Sequence, residues 1–108
     1  MKLLTKAIEK KLEKFPLNSQ EGKGVKANVV CKFFSPVGSW TWYVLEGEKQ
    51  DDGDWMFFGI VISDNGSEYG YFGLKELENL NLPFGLKVER DLYFDGCTVK
   101  DLGDIVDF

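Results

Sequence analysis

The chain has 108 residues, 44% hydrophobic and 15% aromatic, with a formal net charge of −5 and no histidine. Chains of this length form one domain that hides roughly 65% of its unfolded surface, so a single domain over residues 1–108 is expected without a disulfide scaffold. The missing histidine removes the commonest general base, the usual triad partner and the commonest metal ligand.

Thr5 is placed to cap a helix. Ile8, Leu12 and Phe15 follow at helical spacing among Lys6, Lys10, Lys11 and Lys14, and Pro16 closes the segment. Charge repeatedly interrupts the apolar residues of this opening. It reads as neither a secretion signal nor a membrane span, and a cytoplasmic protein is expected. Asn18 to Gly24 is a polar loop. Lys26 to Phe34 then alternates, with Ala27, Val29, Cys31 and Phe33 on one side and Asn28, Val30, Lys32 and Phe34 on the other, the period of a strand.

Ser35-Pro36-Val37-Gly38 carries the residues of a type I turn. Ser39 to Glu46 is the second strand, apolar on both faces, with Trp40, Trp42 and Val44 against Tyr43 and Leu45. Asp51-Asp52-Gly53-Asp54 makes an acidic hairpin tip, and Trp55 to Ser63 is the third strand. The Asn65-Gly66 pair predicts a tight primed turn into a fourth strand, Glu68 to Phe72. Leu74, Leu77 and Leu80 are spaced for a short helix that Pro83 ends. Leu86 to Phe94 reads as a fifth strand, and Thr98 with Asp101 resembles a capping box opening a short helix over Val99 to Ile105. The order α-β-β-β-β-α-β-α is α+β: a mainly antiparallel sheet of about five strands with helices packed on it. The crossover from Leu74 to Gly85 is barely long enough for a parallel return, which leaves the place of the fifth strand open.

Few residues suggest chemistry. Cys31 and Cys97 lie far apart with no second cysteine or histidine nearby, and read as reduced thiols, Cys31 in the core. Asp51, Asp52 and Asp54 offer oxygen ligands for calcium, but the twelve-residue loop of an EF-hand is absent, and a solvated tip is the simpler reading. No phosphate-binding glycine loop is present, and no metal or cofactor is expected. Arg90 is the only arginine. It shares the phase of Leu86, Val88, Leu92 and Phe94, so it points toward the apolar face of its strand and needs a carboxylate or several carbonyls there. Glu76 or Glu78 is the candidate partner, pinning helix to sheet. The functional alternative is an anion-binding arginine in a cleft.

Trp40, Trp42, Tyr43, Trp55, Tyr69 and Tyr71 are too many large aromatics for one face of a small sheet. Either helices cover both sides or an aromatic patch stays exposed, and exposed Trp and Tyr clusters mark interfaces. Together with Arg90 these residues form the candidate binding surface. Charge is unevenly placed: residues 1–40 sum to +5 and residues 41–108 to −10. A basic first helix beside an acidic body is expected.

Several motifs share an order with a known family. They are LLTK from Leu3, KFFSPVGSWTWYV from Lys32, FFG from Phe57, GYFGLKELE from Gly70 and PFGLKVERDLYF from Pro83. In these the chain resembles the small bacterial, plasmid and phage proteins grouped as domain of unknown function 2958. The resemblance implies the cargo of a mobile genetic element, in the neighbourhood of conjugation or antirestriction genes, and supplies no catalytic residue or cofactor.

The reading that follows is a non-enzymatic accessory protein that binds another protein, a host-defence or replication protein being the partner class the resemblance suggests, with an inhibitor of a host-defence system as the sharper form. Such an inhibitor is of the antirestriction or anti-CRISPR type. One alternative is a small enzyme using carboxylates and Arg90. Another is a nucleic-acid binder using the lysine-rich first helix, although basic residues are scarce among the aromatic strands. A monomer, or a weak homodimer paired through an uncovered strand edge, is expected.

Overall fold

The computed structural model describes residues 2–105; Met1 and residues 106–108 lie outside the described part. Helix α1 spans Lys6–Leu12, and the Thr5 hydroxyl accepts from the Ile8 N–H at 3.2 Å, the expected cap. After the loop come β1 (Asn28–Val29), β2 (Cys31–Phe34), β3 (Thr41–Lys49), β4 (Trp55–Ser63) and β5 (Gly66–Gly73). Helix α2 (Leu74–Glu78), β6 (Glu89–Arg90), β7 (Cys97–Thr98) and a run of 3₁₀ turns over Val99–Ile105 complete the chain. Strands β5-β4-β3-β2-β6 form a five-stranded antiparallel sheet, and β1 pairs with β7 in a two-stranded one. The α+β class read from the sequence holds.

Each face of the sheet carries its own core. On the first, Phe33, Trp42, Val44, Phe57 and Phe72 meet Leu3, Leu4, Leu12 of α1 and Leu77 of α2. On the second, Tyr43, Leu45 and Ile60 meet Ala27, Val29, Val99 and Leu102. The two-sided apolar pattern of β3 and β4 is thus satisfied by cover on both sides. Phe33 and Phe57 are fully buried, each contributing about 2–3 kcal/mol of transfer free energy. Asp54 ties the acidic tip to α2: its Oδ1 accepts from the Trp55 N–H at 2.8 Å and the Lys75 N–H at 3.0 Å. Its carboxylate serves the helix start, where negative charge is favoured.

Four local expectations change. The strand read over Lys26 to Phe34 breaks at Val30, whose N–H donates to the Val44 carbonyl at 2.7 Å. Val29 then falls in the second core and Cys31 in the first, although strict alternation puts them on one face. The turn at Asn65-Gly66 has positive φ on Gly66 alone, so it is not the primed type, which needs a positive φ at its first central residue. The fifth strand shrinks to Glu89–Arg90, antiparallel to β2 at the edge opposite β5, because the Asp91 side chain accepts from the Tyr93 N–H at 2.9 Å and turns the chain away. At Thr98 and Asp101 one arm of the expected capping box forms, the Asp101 carboxylate accepting from the Thr98 N–H at 2.9 Å, while the Thr98 hydroxyl also donates to that carboxylate, and the segment opens 3₁₀ turns rather than an α-helix.

The break at Val30 sits beside a β-bulge. Val44 pairs with Gly59 and Glu46 with Phe58, so Leu45 is the extra residue. A bulge places two successive side chains on one face. Gly59 permits it: a Cβ there would lie 1.8 Å from the Tyr43 carbonyl oxygen. Its cross-strand partner Gly70 has open space around it. Gly59→Ala is therefore expected to destabilise the fold by about 3 kcal/mol, whereas Gly70→Ala stays within about 0.5 kcal/mol, both read from urea unfolding midpoints at constant slope.

Candidate functional site

The bulge decides where Glu46 goes. Continued alternation from Val44 puts this carboxylate into the first core beside Phe57, whereas the bulge turns it to the second face opposite Phe58. There it is 3% exposed, and both oxygens accept main-chain bonds: Asn18 N–H to Oε1 at 2.7 Å and Gln20 N–H to Oε2 at 2.8 Å. Gln20 answers from the loop. Its side-chain amide donates to the Leu45 carbonyl at 2.7 Å and the Asn28 carbonyl at 2.8 Å, while its Oε1 accepts from the Asn28 N–H at 2.6 Å. Carbonyl and amide groups left over by the bulge and by the break in the first strand are satisfied in this way, as buried polar groups must be.

The clasp holds the loop from Asn18 to Gly24 over the second face and leaves a cleft of about 470 Å³. One wall is the loop. The other is aromatic: Phe58 stacks on Tyr69 with ring centroids 5.7 Å apart and planes 2° from parallel, and meets Tyr71 at 4.9 Å. Register puts Glu46, Phe58 and Tyr71 side by side across β3, β4 and β5. Directly opposed residues of this kind have side chains roughly 5 Å apart. Tyr71 is 61% exposed, so the wall is open to a visitor. Leu45 and Ala27 line the apolar floor.

The structure divides the residues singled out from the sequence. Tyr69 and Tyr71 come together in the cleft. Tyr43 lies on the same face but is buried in the second core, with the Lys32 ammonium over its ring. Trp42 is buried in the first core, Trp55 packs at its edge on Phe57, and Trp40, 47% exposed, stacks on Trp42. These three tryptophans belong to the opposite side of the sheet from the cleft and do not share a surface with the tyrosines. Arg90, opposite Phe33, donates to the carbonyls of Lys2 and Leu3, the latter at 3.1 Å, tying the start of the chain to β6. Glu76 turns back to its own helix, accepting from the Gly73 N–H at 3.3 Å. Several carbonyls, the second of the two solutions foreseen for Arg90, thus take part.

Gln20, Glu46 and Phe58 were not singled out by sequence. The one available signal is Gly47 directly after Glu46, since a glycine inside a strand marks a bulge or a close approach. A Cβ at Gly47 would come within 2.8 Å of the Phe57 ring.

A second groove of about 410 Å³ lies between α1 and β7, with Lys11 and Lys14 on one side and Cys97, Thr98 and Asp101 on the other. Thr98 donates to the Asp101 carboxylate through N–H and hydroxyl, which holds that carboxyl below its ordinary range. Neither thiol is activated. Burial pushes Cys31 up to about 12, against smaller opposing effects of Arg90 and Lys11. Partial burial, with Asp101 beside it, raises Cys97. Among the described residues no group of three or more His, Cys, Asp or Glu is arranged to hold a metal ion, and no helix is long and apolar enough to cross a membrane.

A family model described as "Protein of unknown function (DUF2958)" matches residues 3–101, and the chain belongs to that family. No curated protein and no solved structure matches it.

Two outcomes follow from this geometry. Glu46→Ala removes two charge-assisted bonds and is expected to cost about 3 kcal/mol in urea unfolding, with the loop amides of Asn18 and Gln20 losing hydrogen-exchange protection. A disulfide reagent at neutral pH is expected to label Cys97 alone, slowly, in the folded protein. Both cysteines react in denaturant, as counted by mass spectrometry.

Proposed function

We propose that this chain is a non-enzymatic binding protein that docks on a protein partner through the cleft between the Asn18–Gly24 loop and the tyrosines of β5. The aromatic wall carries this reading. It presents two tyrosines and a phenylalanine to a preformed concave space that the Gln20 and Glu46 side chains hold open. Tyrosines in a rigid setting are suited to interface anchoring, because they offer large contact area and lose little side-chain freedom on binding. The accessory role for a mobile genetic element, and a host-defence protein as the partner class, are part of the same proposal.

The enzyme reading finds less support. Neither cleft is lined by Arg90, and the buried carboxylate of the larger one, Glu46, accepts a main-chain donor at each oxygen. The nucleic-acid reading draws on Lys11 and Lys14, but Asp101 faces them across their groove.

The test is affinity capture on tagged wild-type protein and on Tyr71→Ala from a host strain carrying defence systems, with and without nuclease. The expected result is a stoichiometric protein that survives nuclease and is lost with Tyr71→Ala. A partner released by nuclease, or one that Tyr71→Ala retains in full, overturns the reading.

A further inference from the structure

Eleven residues line the larger cleft, and none is basic, although Lys and Arg make up 13 of the 108 residues of the chain. Two are glutamates. Glu21 stands exposed on the loop, and Glu46 is buried beneath the aromatic wall. The Lys32–Asp91 salt bridge at 3.6 Å involves neither. A buried carboxylate is ordinarily paired with a cation or fully hydrogen-bonded. Glu46 has two N–H donors, one at each oxygen, while a carboxylate offers about four acceptor positions. The two donors leave acceptor positions over on a carboxylate that lines the cleft, and no salt bridge to it is found among the described residues.

Next to this charge stand the rings of Phe58 and Tyr71, neighbours of Glu46 in the cross-strand row, with Tyr69 stacked alongside. Aromatic faces attract cations within about 6 Å of the ring centroid. Carboxylate and ring faces side by side in one apolar-floored cleft are complementary to a flat organic cation. A guanidinium fits this better than an ammonium, since it is planar, stacks on rings and offers several donors in one plane to a carboxylate. Resting on the binding-protein reading above, we infer that the cleft recognises an arginine side chain of the partner, its guanidinium stacked on the Phe58–Tyr71 wall and directed at Glu46.

The experiment is a titration of the full chain, followed by ¹H–¹⁵N NMR, with acetyl-Gly-Arg-Gly-amide and with its citrulline counterpart. Citrulline has nearly the same shape and no charge. The expected result is about tenfold tighter binding of the arginine peptide. Shifts should concentrate on the amides of Glu46, Phe58 and Tyr71, and Tyr71→Ala should weaken binding about fivefold. Glu46→Gln, if its spectrum remains that of a folded chain, abolishes the preference for arginine over citrulline; if it does not fold, Tyr71→Ala alone carries the mapping. Equal affinity for the two peptides, shifts located elsewhere, or no shift at millimolar peptide overturns the inference. Capture of a Tyr71-dependent protein partner with no arginine preference overturns this inference alone and leaves the binding-protein reading standing.

Discussion

The reciprocal clasp between Gln20 and Glu46 is the constraint on which the second face of this protein depends. A bulge in β3 leaves the Leu45 carbonyl out of the ladder, and the Gln20 amide takes it. The same bulge turns Glu46 toward the loop, where its carboxylate takes the main-chain N–H groups of Asn18 and Gln20. Each partner satisfies what the other's position leaves open. A loop with Gly22 and Gly24 at positive φ is thereby fixed in one place over the sheet. Removing either partner strands buried polar groups, which is costlier than the net gain of the bonds themselves.

From that clasp the division of labour between the two faces follows. The first face is closed by α1, α2 and the opening Leu3-Leu4 segment, and Arg90 fastens that opening by its carbonyls. The second face is closed only over Tyr43, Leu45 and Ile60, by β1, β7 and the turns that follow. Over Phe58, Tyr69 and Tyr71 the clasped loop stands off and leaves a cleft. A buried carboxylate and an open aromatic wall are then neighbours by strand register.

Much of the fold was legible in the chain. Period-two runs located the strands that build the main sheet, Thr5 capped its helix, and membership of the family was readable from ordered motifs. The cleft was legible only in part. Tyr69 and Tyr71 stood out as large aromatics in one phase of an exposed strand. The tryptophans stood out equally and went to the other face, because large aromatics signal burial and binding alike. Glu46 and Gln20 gave no signal, since one glutamate in a strand and one glutamine in a polar loop are ordinary. Their role depends on a carbonyl that exists as an unpaired acceptor only once β3 has bulged.

By itself the sequence determined the class of object: a small α+β protein without histidine, apolar on both faces of its central strands, and a member of its family. Those properties are local or additive, set by residue type and by period along the chain. Tertiary structure alone decided which side of the sheet each aromatic serves, that Val29 and Cys31 part company at Val30, and that Glu46 faces a cleft instead of the core. A single extra residue in a strand inverts the phase of everything after it. Whether that residue is accommodated depends on the neighbouring strand, here on the absence of a side chain at Gly59.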